Sequence, residues 1–227
     1  MTMEQEFDEL AYAISHDVRA PLRHIRTFQQ MALRRHRDAM PAEAVEFLEL
    51  SQASADIMHR MIEALLTYSN IGRVEIPMQT IFVNEMVERI RKEMAPAIGK
   101  ATIRIKVAGN MQVFAEPVQL HLALRHLLAN AVQHATGASE ITIRCADDAT
   151  HWQIQVWDNG VGIEEKHHEQ AMKLFTRLQH RDGGQGVGAG LALTRRIARR
   201  HGGDLTLSNN QPGLQATISI QKQGETS

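Results

Sequence analysis

Apolar residues recur at steps of three and four through the first seventy positions of this chain. They begin with Phe7, Ala11, Ile14, Val18, Leu22, Ile25, Phe28 and Ala32, the seam of an amphipathic helix at near-heptad spacing. The segment from Arg35 to Pro41 interrupts the pattern, and Pro41 suits the first turn of a second helix. That helix carries Val45, Leu48, Ile57, Met61, Leu65 and Tyr68. Two helices joined by a short loop form an antiparallel hairpin. A lone hairpin of this size cannot bury the apolar faces of both helices. A second copy of the chain can cover them, giving a four-helix bundle as a dimer.

After Asn70-Ile71-Gly72 the periodicity changes, which divides the chain into residues 1–72 and 73–227. The second part mixes helices with alternating strands. Helices are expected over 84–97 (with Asn84 as N-cap), 117–135 and 191–201, the last closed by Gly202-Gly203. Period-two alternation predicts strands at 102–107, 140–144, 153–157, 204–207 and 215–220. The strands at 140–144 and 153–157 are placed to pair across the turn from Ala146 to Thr150. Helices set against one largely antiparallel sheet make the fold class α+β, a two-layer sandwich following the hairpin. The tail from Gly224 to Ser227 reads as disordered.

Composition narrows the function. Lys and Arg total 25 against 26 Asp and Glu, a net charge of -1. That balance offers no electrostatic case for nucleic acid, and 4% aromatic content offers no base-stacking platform. A single cysteine, Cys145, excludes an internal disulfide framework and a multi-cysteine metal site. It fits a reducing cytoplasm. No apolar run approaches the ~20 residues needed to span a bilayer, and the acidic start has no signal-peptide pattern. A membrane sensor, if this kind of chain serves one, is expected outside it.

Twelve histidines are scattered along the chain, so His16 is set apart only by its neighbours, Ser15-His16-Asp17-Val18-Arg19-Ala20-Pro21-Leu22. It lies two residues past Ile14, a rotation of roughly 200° that turns it from the seam toward water. A neutral imidazole is a competent nucleophile. Asp17 is placed to fix its tautomer or take its proton. The plainer reading is a solvated charge at Asp17 and a bend at Pro21.

Two glycine segments follow. Asp158-Asn159-Gly160-Val161-Gly162-Ile163 comes directly after a strand, and Gly186-Val187-Gly188-Ala189-Gly190-Leu191 directly before a helix. Alternating glycines let backbone approach a polyanion, and the helix start adds amide donors. Glycines also mark ordinary turns. No Gly-Lys-Ser/Thr follows, so this is not a Walker loop. No βαβ opening surrounds it, so it is not a dinucleotide fingerprint. On the helix at 117–135, His126, Asn130, Gln133 and His134 share one face. An amide oxygen there suits Mg²⁺ completed by phosphate and water. A solvated face is the alternative.

Taken in order, these pieces resemble the sensor histidine kinases of two-component signalling over nearly the whole chain, and their wording is most similar to the phytochrome-like branch. The resemblance implies a dimerisation and phosphoacceptor domain at 1–72, with His16 phosphorylated. It implies an ATP-binding domain of the GHKL ATPase type at 73–227. Residues 126–134 resemble the N box, 158–163 the G1 box, 173–178 the F box of the lid, and 186–191 the G2 box. By that resemblance Asp158 binds adenine with Gly160 and Gly162 beside it. Asn130 holds Mg²⁺, with Gln133 and His134 on its face. Phe175 and Arg177 close over ATP, and Gly186, Gly188, Gly190 and Leu191 wrap the phosphates. The implied partners are a second copy, a response-regulator receiver domain and a separate sensor protein.

The chain departs from the pattern at three places. His126 stands where the N box begins with Asn, and where related ATPases carry a catalytic Glu, which disfavours simple ATP hydrolysis. Gln133 replaces a Lys and removes a positive charge from the phosphate site. Ala20, four residues after His16, replaces the Thr or Asn of strong phosphatases, so weak phosphatase activity is expected. The altered N box motivates a rival reading, a histidine phosphotransfer or scaffold protein with a degenerate ATP-binding domain, in which phosphotransfer through His16 is the chemistry that remains.

Overall fold

The computed structural model describes residues 3–73, 77–98, 103–108, 111–134, 139–178, 186–209 and 212–222. The chain divides into two compact units, Met1–Arg73 and Val74–Ser227.

The first unit is the antiparallel hairpin. Helix α1 (Met3–His36) runs without a break through Pro21, and a single 3₁₀ turn (Arg37–Ala39) leads to α2 (Ala42–Asn70). Pro41 starts α2, its carbonyl accepting the N–H groups of Ala44 and Val45. Ala11, Ser15 and Leu22 of α1 and Ala55, Leu66 and Ser69 of α2 are buried between the helices. Polar cross-links fix the register: Arg26 donates to Asp56 at 2.6 Å, Gln29 to Ser51 at 2.6 Å, and Arg37 pairs with Glu49 at 2.8 Å.

The structure corrects the seam read from the sequence. Phe7, Ile14, Ile25 and Phe28 are exposed, and only Ala11 and Leu22 of the eight residues are fully buried. The regular spacing merged two adjoining faces. One packs on α2. The other, with Leu10 and Met31, stays open, as do Phe47, Leu50, Ile57 and Met58 of α2.

The second unit is α+β. A two-stranded antiparallel sheet pairs β1 (Gln79–Phe82) with β3 (Gln112–Ala115). The main sheet runs β2-β4-β5-β7-β6, where β2 is Ile103–Ala108, β4 Ser139–Asp147, β5 His151–Trp157, β6 Leu205–Asn209 and β7 Leu214–Gln221. β2 lies parallel to β4 and every other pair is antiparallel. Thr102, the first residue of its expected strand, lies outside the described residues, as does the tail from Gly224.

The β4–β5 hairpin turns as expected. Asp148 Oδ1 accepts the N–H groups of Thr150 and His151, both at 2.8 Å. Alternation puts Ile141, Ile143, Ile154, Val156, Ala216, Ile218 and Ile220 on the buried face. Each isoleucine or valine among them is worth about 1.5–3 kcal/mol on burial. Helices α3 (Val83–Ile98), α4 (Pro117–His134) and α6 (Gly190–Arg200) supply the second layer, and the single turn α5 (His168–Ala171) precedes α6. α3 begins one residue before Asn84, so Asn84 sits inside the first turn rather than capping it.

α4 is anchored at its N-terminal end. Pro117 occupies its first position, and Leu120, Leu124, Leu127, Leu128 and Ala131 form its buried stripe. Before it, the Glu116 N–H donates to His201 Nε2 at 3.0 Å, while His201 Nδ1 donates to the Ile197 carbonyl at 2.8 Å. α6 closes on glycines as expected. Gly202 takes φ +73 and donates to Arg199, and Gly203 donates to Ala198, both at 3.0 Å, the two bonds of a Schellman end.

Candidate active site

His16 faces solvent, its side chain 72% exposed. Its Nδ1 lies 3.1 Å from Asp17 Oδ1. An ionised carboxylate only accepts, so the neutral ring donates from Nδ1 and keeps its lone pair on Nε2. His16 is exposed as expected, although Ile14, from which the rotation is reckoned, is itself exposed and Ser15 between them is buried; the Asp17 contact is observed.

The second group of residues gathers around the C-terminal half of α4. Added Cβ positions show how closely backbone and side chains meet. At Gly160 a Cβ would stand 2.6 Å from the His134 carbonyl oxygen and 2.8 Å from Asp158 Oδ1. At Gly186 the nearest atom is Gln133 Oε1, at 3.7 Å. At Gly190, the first residue of α6, the His126 ring lies 3.4 Å away. At Gly188, with φ +73, the Thr176 carbonyl oxygen is 2.5 Å away and Arg177 Cγ 3.1 Å. One glycine segment thus meets α4 at two points and Thr176-Arg177 at a third. The other meets the end of α4.

Asp158 is 8% exposed. Its Oδ1 accepts the Gly160 N–H at 2.8 Å and the Leu214 N–H at 3.2 Å. Burial raises its pKa, and those two amides and His134 oppose the rise. His126 is driven the other way: burial, then the charge of Arg125, lowers it to about 4. It is a neutral ring at pH 7, and its Nε2 is buried without a partner. Asn130 is half-buried on the same helix, and Leu191 is half-buried in the first turn of α6. Phe175 is half-buried and holds φ +62, a conformation that costs a non-glycine residue about 1–2 kcal/mol.

Sequence reasoning missed Gly213, Leu214 and Asn209. Gly213 has φ +112, and a Cβ there would run into the Asp158 carbonyl oxygen. Asn209 Oδ1 accepts the Ile163 N–H at 3.2 Å and lies 3.1 Å from a Cβ at Gly162. The signal was the Pro212-Gly213 dipeptide, which reads as a turn and carries no hint of what the turn touches. His16 and Asp17 belong to the first unit, and every other candidate residue to the second.

A hairpin with an exposed histidine, and a sandwich that gathers its glycines at one end of α4, define the two parts of a GHKL-type kinase core. Comparison with known proteins agrees. Residues 8–73 match the His Kinase A (phospho-acceptor) domain. Residues 115–224 match the histidine kinase-, DNA gyrase B-, and HSP90-like ATPase. The phytochrome-like protein Cph1 of Synechocystis is 28% identical over 94% of this chain and 28% of its own length. The sensor protein IrlS of Burkholderia pseudomallei is 32% identical over 92% of this chain and 45% of its own. The chain therefore spans less than half the length of these curated relatives. Full-length ShkA, solved in complex with AMPPNP, shares the fold at TM-score 0.72 and 18% identity, over 93% of this chain and 45% of that one. The chain belongs to the sensor histidine kinases. Among the described residues no helix is long and apolar enough to cross a membrane.

Proposed function

We propose that this chain is an ATP-dependent protein-histidine kinase core, with residues 1–72 as the dimerising phosphoacceptor domain and 73–227 as the ATP-binding domain. His16 Nε2 attacks the γ-phosphorus of ATP. The N–P bond forms as the bond to the β-phosphate oxygen breaks, and ADP leaves. Asp17 holds the ring proton on Nδ1 and so keeps the lone pair directed outward. The phosphoryl group then passes to an aspartate of a response-regulator receiver domain, in the cytoplasm and under the control of a sensor.

The observation that carries this reading is the convergence of Asp158 and both glycine segments on α4. The residues fit the nucleotide. The two backbone amides that bond Asp158 meet at Oδ1, which leaves Oδ2 to accept from an adenine amino group. A side chain at Gly188 would strike the Thr176 backbone, and one at Gly160 the His134 carbonyl and Asp158 Oδ1, so either would push apart the segments that gather here. Among the described residues no three His, Cys, Asp or Glu side chains group as a metal site. Half-buried on α4, Asn130 is the residue whose amide oxygen would hold Mg²⁺, a hard cation suited to amide, phosphate and water oxygens. Bound there, it would neutralise phosphate charge. Positioning and charge neutralisation supply most of the rate in such transfers.

The test is incubation with γ-labelled ATP and Mg²⁺, comparing the parent with His16→Ala. An acid-labile, alkali-stable label absent from the variant is the expected result. No label on the parent, with His16 still accepting phosphoryl from a phosphorylated regulator, would replace the kinase by a phosphotransfer protein.

A further inference from the structure

The chain leaving α2 turns back onto α1 beside His16. Ile71 is buried, and its N–H donates to the Thr67 carbonyl at 3.2 Å. Gly72 takes φ +95, a value open to glycine at little cost. The Arg73 N–H then closes a turn on the Asn70 carbonyl at 3.1 Å. The Arg73 guanidinium carbon lies over the Tyr12 ring, 4.9 Å from its centroid, inside cation–π range. Tyr12 precedes His16 by four residues, so both stand on one face of α1. Three residues beyond His16, Arg19 pairs with Glu63 of α2 at 2.8 Å. Two cross-helix contacts therefore frame the phosphoacceptor. Only Tyr12–Arg73 also holds the residue at which the first unit ends.

We infer that Tyr12 and Arg73 are positioning residues for phosphorylation of His16. Their stack pins the start of the connection to the ATP-binding unit at a fixed point beside the phosphoacceptor. The inference rests on the kinase reading above. Neither residue touches the reacting atoms. The unit that delivers the phosphoryl group is tethered through Arg73, and the origin of a tether sets the effective concentration at its target. Releasing Arg73 lets that origin wander and dilutes productive encounters. One exposed cation–π contact is worth about two- to fivefold in population.

The experiment compares the full chain with Tyr12→Phe, Tyr12→Leu, Arg73→Gln and the Tyr12→Leu/Arg73→Gln double variant. The first readout is the initial rate of His16 labelling by saturating γ-labelled ATP. The second is chemical phosphorylation of His16 by phosphoramidate, which releases ammonia and needs no tethered unit. The third is trypsin cleavage after Arg73. Tyr12→Leu and Arg73→Gln should slow labelling by ATP about two- to fivefold, and the double variant no further, because one contact is lost in all three. Tyr12→Phe keeps the ring face and should keep the parental rate. Phosphoramidate labelling should be equal throughout, and trypsin should cut Tyr12→Leu, but not Tyr12→Phe, faster than the parent. Parental ATP rates in the Leu and Gln variants overturn the inference. So does an equal slowing with phosphoramidate, which would mean damage at His16 itself. If the parent takes no label from ATP, the kinase reading falls and this inference with it. If the parent is labelled and the variants match it, only this inference falls.

Discussion

Gly213→Ala is the substitution with the largest expected effect on the nucleotide site, although no sequence motif includes Gly213. A Cβ at this position would collide with the Asp158 carbonyl oxygen and stand 2.7 Å from its carbon and 3.0 Å from Asn159 Cα. All three are backbone atoms, so no side chain can swing aside. The φ of +112 adds about 1–3 kcal/mol of strain for any L residue. Relief requires the two chain segments to part, and what joins them is the Asp158 N–H bond to the Leu214 carbonyl at 3.0 Å and the Leu214 N–H bond to Asp158 Oδ1 at 3.2 Å. Loss of the second, a bond to a charged acceptor, costs about 1.5–3 kcal/mol. Together these give about 3–6 kcal/mol, or roughly 6–24 °C for a domain of this size.

Scanning calorimetry on the full chain, with and without ATP·Mg²⁺, measures the effect. Gly186→Ala is the control, since its Cβ would meet nothing closer than Gln133 Oε1 at 3.7 Å. It should stay within about 0.5 kcal/mol of the parent. If both variants melt within ~2 °C of each other, the reasoning from Gly213 to Asp158 is wrong.

Three further outcomes are expected. His126 has its pKa lowered to about 4 by burial and Arg125, so the unfolded chain binds that proton first. Its contribution to stability is present above pH 6.5 and is lost as the pH falls toward 4. The loss amounts to as much as about 3 kcal/mol, and denaturant midpoints against pH should show it in the parent but not in His126→Asn. Burial raises the pKa of Asp158, so its protonated form favours folding below the ordinary aspartate range and that contribution is lost as pH rises through the native value. Asp158→Asn should therefore melt no lower than the parent at pH 7, yet turn an amide donor toward adenine and weaken ATP at least about tenfold by titration calorimetry. Phe47→Glu places a charge on an open apolar face where Phe47 is 60% exposed; sedimentation should show the parent as a dimer and the variant at half its mass.

The legible parts of this molecule are those written in local pattern. Alternation located the strands of the main sheet, and the Gly202-Gly203 pair stopped α6 where a Schellman end needs it. The hairpin was legible as two helices but not as two faces. Heptad spacing records that a residue is apolar, not which neighbour it meets, so Ile14 and Leu22 read alike although one is exposed and the other buried. The short β1–β3 pair was not read from the sequence: its strands, four residues each, pair across the 29 residues between Phe82 and Gln112 rather than across a turn. At the site, His16, Asp158 and the glycines stood out through chemistry and spacing. Gly213 did not, since its role depends on a partner 55 residues away in sequence that only the β5–β7 pairing brings near.

In the proposed ATP site Gln133, which faces Gly186, carries no positive charge. A neutral amide at Gly186 supplies a hydrogen bond but no counter-charge, and charge-assisted bonds are roughly twice as strong. Arg177 meets the same glycine segment two residues further on, with its Cγ 3.1 Å from a Cβ at Gly188. Phe175, two residues before Arg177, holds φ +62, and such strain in a non-glycine residue persists only where its surroundings impose it. The cationic contact to the phosphates is therefore expected from Arg177 rather than from α4. Arg177→Ala should weaken ATP by about 10- to 150-fold while leaving adenosine binding unchanged, whereas Gln133→Ala should cost ATP less than about tenfold. Equal losses for ATP and adenosine in Arg177→Ala would place the residue against the base, and a larger loss from Gln133→Ala would return the phosphate contact to α4.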